Sequence, residues 1–161
     1  MSITIGTVYA VLGAAVAMGV AGISTAIGVK SAGVAAAGAV VEKKENFKNA
    51  LVLQALPQTQ TVYAFIIALL IMMGAGLLGA TGVELTSAQG LAMFGAGLAV
   101  GLTGISSIFQ GMVSGAGIVS CAKTQDAFAP SLVFSGQCET PAIFGFIIAL
   151  ILLVVGLGVP G

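Results

Sequence analysis

Residues 134–153 read FSGQCETPAIFGFIIALILL and hold one charged side chain, that of Glu139, in twenty positions. A helix needs about 20 predominantly apolar residues to cross the hydrocarbon core of a bilayer. This stretch therefore predicts a membrane-spanning helix with a carboxyl group inside it.

The composition of all 161 residues is that of an integral membrane protein. Hydrophobic residues make up 58% of the chain and charged residues 6%, against about 25% charged residues in soluble domains. Five lysines and no arginine argue against nucleic-acid binding. With no histidine and two cysteines, the usual imidazole and thiolate metal sites and any histidine-based triad are excluded. We predict a single membrane domain over residues 1–161.

Three polar breaks, at residues 42–49, 81–89 and 123–126, divide the chain into four apolar runs. Each run holds enough residues for one crossing, and no run shows the alternation of a β-barrel strand. The sequence therefore predicts an all-α membrane protein of four helices in two hairpins. The predicted helices cover the runs 5–41, 50–80, 86–122 and 127–159.

The lysines predict the orientation. Lys43, Lys44 and Lys48 lie in the first break and Lys123 lies in the third, whereas the second break has no lysine. Basic residues accumulate on the cytoplasmic side of a membrane protein. We expect a multi-pass protein of the cell membrane with loops 42–49 and 123–126 in the cytoplasm and both termini outside.

The second half of the chain repeats the first. Residues 146–150 (Phe-Ile-Ile-Ala-Leu) copy residues 65–69 at a spacing of 81, and residues 104–107 echo residues 22–25 at a spacing of 82. The repeats are predicted at about 1–80 and about 86–161. An even number of crossings separates them, so they run in parallel, unlike the inverted repeats of many transporters.

Glycine is concentrated in the first and third predicted helices, which hold 15 glycines against seven in the second and fourth. Small residues let helix backbones approach closely in lipid. We therefore expect an inner layer of slim helices and an outer layer of bulky ones. Slim helices pack well around a small circle, which makes a ring of many copies a natural hypothesis.

Glu139 is the acid that the predicted helices carry in mid-membrane. It stands about 11 residues past the third break, which is about 16 Å along a helix. An unpaired carboxylate at that depth costs at least a few kcal/mol. It has to be protonated, to bind a cation or to accept several hydrogen bonds, and we interpret it as functional.

Three polar side chains share this depth: Thr59, Gln60 and Gln110. Hydroxyl and amide oxygens with one carboxylate are hard ligands suited to an alkali cation. Alternatively, the same groups could hydrogen-bond a protonated Glu139, and either glutamine could simply join helices.

Two prolines and a tyrosine complete the candidate site. Pro57 has no N–H to donate, so the carbonyl of Leu53 or a neighbour such as Leu56 becomes available. Tyr63, one turn beyond Thr59, could donate its hydroxyl to the carboxylate or simply pack as an aromatic residue. Pro141 should loosen the backbone next to Glu139.

These polar motifs together resemble those of the proteolipid (K, or c) subunit of bacterial V-type ATPases. They are Leu56-Pro57-Gln58-Thr59-Gln60, Tyr63, Phe109-Gln110-Gly111 and Glu139-Thr140. The resemblance extends over essentially the whole chain. It implies a membrane rotor ring in which Leu56 (by its carbonyl), Thr59, Gln60, Gln110 and Glu139 bind Na⁺ while Tyr63 closes the site. At the repeat spacing Gln58 falls opposite Glu139, which fits the family's one carboxylate per four helices. Pro141 departs from the family pattern.

The resemblance also implies a rotary mechanism. The ring turns against a static membrane subunit whose arginine displaces the ion from Glu139, and a central-stalk subunit binds the cytoplasmic loops. ATP is hydrolysed or made in other subunits, so this chain is not an enzyme and needs no cofactor. Na⁺ is the expected cargo, with H⁺ as the alternative.

Two other classes of function stay open at the sequence level. A small ion channel or carrier that works without ATP would also use an intramembrane acid, although a pore usually shows polar residues along a whole helix face. A purely structural membrane protein is the third possibility, and Glu139 in mid-membrane argues against it.

Overall fold

The computed structural model describes residues 3–79 and 83–157, and within these residues every regular element is helical. Seven α-helices are present in that part of the chain, with short 3₁₀ turns at Lys44–Asn46, Leu56–Gln58 and Gln125–Ala127. The α-helices are α1 (Ile5–Glu42), α2 (Phe47–Ala55), α3 (Thr59–Gly74), α4 (Ser87–Thr103), α5 (Ser106–Lys123), α6 (Phe128–Gln137) and α7 (Thr140–Leu157).

These elements combine into four spans, each long and apolar enough to cross a membrane. Among the described residues, span 1 is Ile5–Glu42, span 2 is Lys44–Gly74, span 3 is Ser87–Lys123 and span 4 is Gln125–Leu157. The predicted all-α class with four crossings is confirmed, and the chain is a multi-pass membrane protein. Spans 2, 3 and 4 are each interrupted, at Leu56–Gln58, at residues 104–105 and at residues 138–139.

The first and third breaks are much shorter than predicted. Only Lys43 and Thr124 leave helical geometry there, each with an extended backbone, and the remaining polar residues are helical. The buried side chain of Asn46 donates to the Ala39 carbonyl (2.9 Å) and accepts from Gln125 (3.1 Å). Asn49 donates to Gln125 as well (2.6 Å). Polar side chains thus bond the two turns to each other, so both turns lie at the same end of the molecule, as parallel hairpins require.

At the opposite end, span 2 stops at Gly74, earlier than the predicted residue 80. Gly76 has a φ of 68°, and the N–H of Leu77 bonds to the Met72 carbonyl (2.9 Å). A left-handed glycine of this kind closes a helix. Residue 80, the predicted end of the second helix, and residues 81–82 of the predicted second break lie outside the described residues, as do residues 1–2 and 158–161, which include the predicted end of the fourth helix at 159. Span 3 begins behind a capping box of Thr86 and Gln89.

Spans 1 and 3 pack backbone against backbone along much of their length. A Cβ atom built on Gly90 would collide with the Gly6 carbonyl, one on Gly97 with that of Gly13, and one on Gly111 with that of Gly28. The contact partners advance in the same order along both helices, so spans 1 and 3 run parallel. The close approach expected of the glycine-rich helices is confirmed, since no side chain other than hydrogen fits at these crossings.

A polar layer divides the buried interior into two apolar parts. The larger part contains Ala17, Ile67, Met93 and Leu153, and the smaller part, near the 43–46 turn, contains Leu53 and Ile118. Between them lie buried polar residues from all four spans: Thr25, Gln60, Ser107, Gln110, Ser114 and Ser135. The fold therefore places a group of buried side-chain oxygens from all four spans at one level, while buried Thr7 and Asn46 lie toward the two ends.

Candidate functional site

The broken backbone of span 2 presents the first oxygen atoms of the site. Pro57 cannot donate an N–H, and residues Leu56–Gln58 adopt a 3₁₀ turn instead of continuing the α-helix. The Thr59 hydroxyl donates to the Leu56 carbonyl (3.1 Å) and also contacts the amide oxygen of Gln60 (3.3 Å). The Leu56 carbonyl thus lies beside the candidate ligands Thr59 and Gln60.

The two glutamines form the centre of the site. Both are fully buried, and Gln60 Nε2 donates to Gln110 Oε1 across spans 2 and 3 (2.7 Å). Gln110 Nε2 in turn donates to the Ser135 carbonyl of span 4 (3.1 Å). A buried amide that lacks partners costs roughly 1–3 kcal/mol, so these bonds fix both side chains in defined orientations.

Glu139 sits at the interruption of span 4. Around it the helix tightens: the N–H groups of Cys138 and Glu139 bond three residues back, to the Ser135 and Gly136 carbonyls (3.1 Å each). The Glu139 carboxyl accepts a hydrogen bond of 2.5 Å from the Tyr63 hydroxyl. Its side chain is half-buried, whereas both glutamines are fully enclosed. The carboxyl group therefore lies nearer the surface of the chain than the two glutamine side chains do.

Tyr63 is held in place by packing. Its ring lies against that of Phe146, with centroids 5.3 Å apart and planes tilted by 32°. Offset and tilted aromatic pairs of this kind are favourable. The tyrosine thus connects span 2 to span 4 on the outer side of the glutamines, and its role as a hydrogen-bond donor agrees with the first of its two sequence interpretations.

The structure brings the candidate residues together in two hydrogen-bonded groups. One contains the Leu56 carbonyl, Thr59, Gln60 and Gln110, and the other contains Tyr63 and Glu139. Among the described residues no hydrogen bond joins the Glu139 carboxyl to either glutamine. The two hydrogen-bonded groups lie at the same depth along the spans. Carbonyl, hydroxyl, amide and carboxylate oxygens from three spans therefore surround one region of the bundle.

Two serines of the site were missed by the sequence interpretation. Ser114 and Ser135 are fully buried, and their hydroxyl groups are 2.6 Å apart. Ser135 lies one turn before Glu139, and Ser114 lies one turn after Gln110 on the same helix face. That spacing was the available signal. Their bond ties span 3 to span 4 beside Gln110 and supports the carbonyl that orients its amide.

The oxygen set is unlike a transition-metal site. Within residues 3–79 and 83–157 no cluster of three or more histidine, cysteine, aspartate or glutamate side chains exists. One carboxylate with neutral oxygens leaves a single negative charge, which matches a monovalent cation or a proton. A membrane proteolipid with one half-buried carboxyl group at the level of buried amide oxygens, within its four described spans, is the class that this fold and site define.

Comparison with known proteins identifies the family. The profile of the family of ATP synthase C subunits matches the chain twice, at residues 12–71 and 94–152. The chain belongs to this ATP synthase family. The predicted class is confirmed: the chain is a non-catalytic, ion-translocating proteolipid of the rotary ATPases, and the channel, carrier and purely structural alternatives are set aside.

Individual relatives cover most of the chain. It is 41% identical over 143 residues to the A-type ATP synthase subunit K of Methanocaldococcus jannaschii, covering 89% of this chain and 60% of that relative. It is 40% identical over 149 residues to the V-type sodium ATPase subunit K of Enterococcus hirae, covering 92% of each. Identity to the human 16 kDa proteolipid of the V-type proton ATPase is 26% over 145 residues, covering 89% of this chain and 90% of that relative. Relatives named for sodium and for protons thus both align with this chain.

Proposed function

We propose that this chain is the rotor-ring subunit of a rotary ATPase and that it carries Na⁺ across the membrane. The ion is held by the Glu139 carboxylate together with the Leu56 carbonyl, Thr59, Gln60 and Gln110. The observation that supports this most strongly is the buried bond between Gln60 and Gln110, which fixes two amide oxygens at the level of the only intramembrane acid that the described spans carry.

Tyr63 acts as the closure of the proposed site. Its hydroxyl bonds to the Glu139 carboxyl on the outer side, and its ring is packed on Phe146. While that bond persists, the carboxylate is held inside the bundle. An ion leaves when a competing positive charge attracts the carboxylate, and we assign that charge to an arginine on a static membrane subunit.

The ring turns against that static subunit, so each copy meets it once per revolution. ATP hydrolysis or synthesis in soluble subunits is coupled to this rotation. A central-stalk subunit docks on the polar turns at residues 42–49 and 123–126, which we place in the cytoplasm on the basis of their lysines. Both termini are then outside, and lipid surrounds the exposed faces of spans 2 and 4.

Sodium protection against a hydrophobic carbodiimide tests this proposal. The reagent attacks a protonated carboxyl group from within the lipid, and a bound cation favours the charged form of an acid. We expect labelling of Glu139 at a fixed mildly acidic pH to fall as sodium rises. Potassium at equal ionic strength should protect far less, which separates ion binding from general screening.

Two variants sharpen the test. Thr59→Ala and Gln110→Ala each remove one oxygen ligand and should raise the protecting sodium concentration by about tenfold, the equivalent of about 1.4 kcal/mol. Ser120→Ala, in which a distant exposed hydroxyl on span 3 is removed, should leave it unchanged. Labelling that depends on pH alone would assign the site to protons, with Thr59, Gln60 and Gln110 as a hydrogen-bond shell around a neutral Glu139.

A further inference from the structure

The carbonyl group of Ser135 decides which way the Gln110 amide points. It accepts from Gln110 Nε2 and from the Cys138 N–H, each at 3.1 Å. A carbonyl oxygen has two lone pairs and no proton to donate, so only the NH₂ end of Gln110 can face it. The amide oxygen of Gln110 therefore points to Gln60, which donates to it at 2.7 Å.

The interruption of span 4 links this carbonyl to Glu139. In a regular α-helix the Glu139 N–H would bond to the Ser135 carbonyl. Here it bonds to Gly136 instead, and the Cys138 N–H bonds to Ser135. The turn that carries the carboxyl group and the anchor of the Gln110 amide are thus parts of one backbone segment. A shift of Ser135 would change the distance between the amide oxygen and the carboxylate.

The hydroxyl groups of Ser114 and Ser135, which we call the serine pair, hold that segment against span 3. They are 2.6 Å apart, and both residues are 0% exposed. Ser114 lies one turn after Gln110, so span 3 contacts Ser135 twice, once through the amide and once through the hydroxyl. Two attachments one turn apart oppose both rotation and sliding of span 4, which a single bond does not.

We propose that the serine pair is a positioning element of the ion site and makes it selective for Na⁺ over the larger K⁺. This role rests on the proposed Na⁺ site. Groups that bond to a ligand without touching the ion fix its orientation, and their loss typically weakens binding about 10- to 100-fold. Selectivity between ions of equal charge depends on the size and flexibility of the cavity. With Ser135 fixed, the distance from the Gln110 oxygen to the Glu139 carboxylate cannot widen to admit K⁺.

Carbodiimide labelling of Glu139, in membranes that contain the whole ATPase, tests this role in Ser114→Ala, Ser135→Ala and the double variant. The Na⁺ concentration that halves labelling should rise about tenfold in each, the lower end of the usual range. That of K⁺ should stay close to its wild-type value. The double variant should match the single ones, because either change removes the same bond. An unchanged Na⁺ concentration, or an equal rise for Na⁺ and K⁺, would overturn the role.

The stability of the variants separates positioning from a general loss of structure. Each single variant leaves one buried hydroxyl without its partner, which is destabilising, whereas the removal of both partners is nearly neutral. Thermal aggregation of the detergent-solubilised protein should therefore occur earlier in the single variants and near the wild-type temperature in the double variant. Weak sodium protection in a stable double variant supports positioning. If protection recovers together with stability, the serine pair only stabilises the fold.

A comparison in a second background locates the effect at Gln110. In Gln110→Ala, the further change Ser114→Ala should cause no additional loss of sodium protection, because the amide that the serine pair orients is absent. An additional loss there would contradict action through Gln110.

Ser131→Ala is the matched control. Ser131 is a buried serine one turn before Ser135 on the same helix face, farther from Glu139. Its removal should leave protection by both ions unchanged. A loss equal to that in Ser135→Ala would make the effect a general one of buried serines and overturn the specific role of the pair.

The outcomes separate this role from the proposed function. Wild-type labelling that ignores sodium rejects the Na⁺ site and the role of the serine pair with it. Wild-type protection by sodium that the serine variants leave unaltered rejects the role of the pair alone.

Discussion

At the scale of single residues, the hydrogen bond from Tyr63 offsets part of the free energy that it costs to place the Glu139 carboxyl group inside the membrane. The 2.5 Å bond satisfies one carboxyl oxygen at the outer edge of the bundle, while the amides of Gln60 and Gln110 bond to each other and to Ser135. The fixed amides keep their oxygens in place whether or not the carboxyl group is charged. The carboxyl group alone changes its state during the proposed cycle.

Glu139→Gln should abolish coupled ion transport and leave the particle size unchanged. The amide keeps the shape of the side chain and can still accept from Tyr63, but it cannot neutralise a cation. Sodium uptake by vesicles that contain the whole ATPase is the measurement. Glu84→Gln, at an exposed position at the opposite end of the molecule from the 43–46 turn, is the control and should transport normally. Undiminished uptake by Glu139→Gln would remove Glu139 from the site.

Tyr63→Phe should weaken sodium protection of Glu139 by about tenfold or more, because a hydrogen bond to a charged group contributes about 1.5–3 kcal/mol. The ring remains and can still pack on Phe146, so particle size should not change. Tyr9→Phe removes a hydroxyl from a tyrosine whose ring lies 6.4 Å from that of Phe94, well away from the site, and serves as the control. Equal sodium dependence in wild type and Tyr63→Phe would make Tyr63 a packing residue.

At the scale of helices, the four spans and the level of the site could be predicted from the sequence. Apolar runs with three polar breaks determine the crossings, and counting residues from a break determines the depth of Gln60, Gln110 and Glu139. The turns could not be predicted, since their polar side chains suggest loops and in fact bond to each other at Asn46, Asn49 and Gln125.

The hydrogen bond between Ser114 and Ser135 could not be predicted from the sequence for a different reason. Ser114 and Ser135 are small residues of a kind common in membrane helices, and only the positions of spans 3 and 4 show that their hydroxyl groups meet. Similarly, hydrophobic composition gives no information about which glycines face a neighbour. Such pairings depend on the relative rotation of two helices about their axes, which a single sequence does not encode locally.

Gly97→Leu should destabilise the chain strongly, since its Cβ atom would collide with the Gly13 carbonyl, which is backbone and cannot rotate away. Overpacking of this kind typically costs about 1–3 kcal/mol, and sometimes more. Thermal aggregation of the detergent-solubilised protein measures the loss. The control is Gly95→Leu in the same helix, where the nearest atom is 3.6 Å away on a flexible Leu152 side chain. If both variants aggregate at the same temperature, the contact between spans 1 and 3 is looser than described.

At the scale of the whole molecule, the orientation that we propose in the membrane rests on the lysines near the 43–46 turn. Glu45→Cys, in a background without Cys121 and Cys138, should react with an impermeant maleimide only in inverted vesicles or opened cells. Glu45 is exposed, whereas neighbouring Asn46 is buried and bonded, so it is the better position for the probe. Val83→Cys, exposed at the other end, should show the reverse pattern. Labelling of Glu45→Cys in intact cells would invert the proposed topology.

The glycine contacts between spans 1 and 3 have a mechanical consequence. Where backbone rests on backbone, as at Gly13 with Gly97 and Gly28 with Gly111, no side chain can change rotamer to absorb shear. A rotor assembled from such pairs is torsionally stiff and passes torque on without winding up. In the proposed rotor we therefore expect elastic deformation to occur outside these helix pairs.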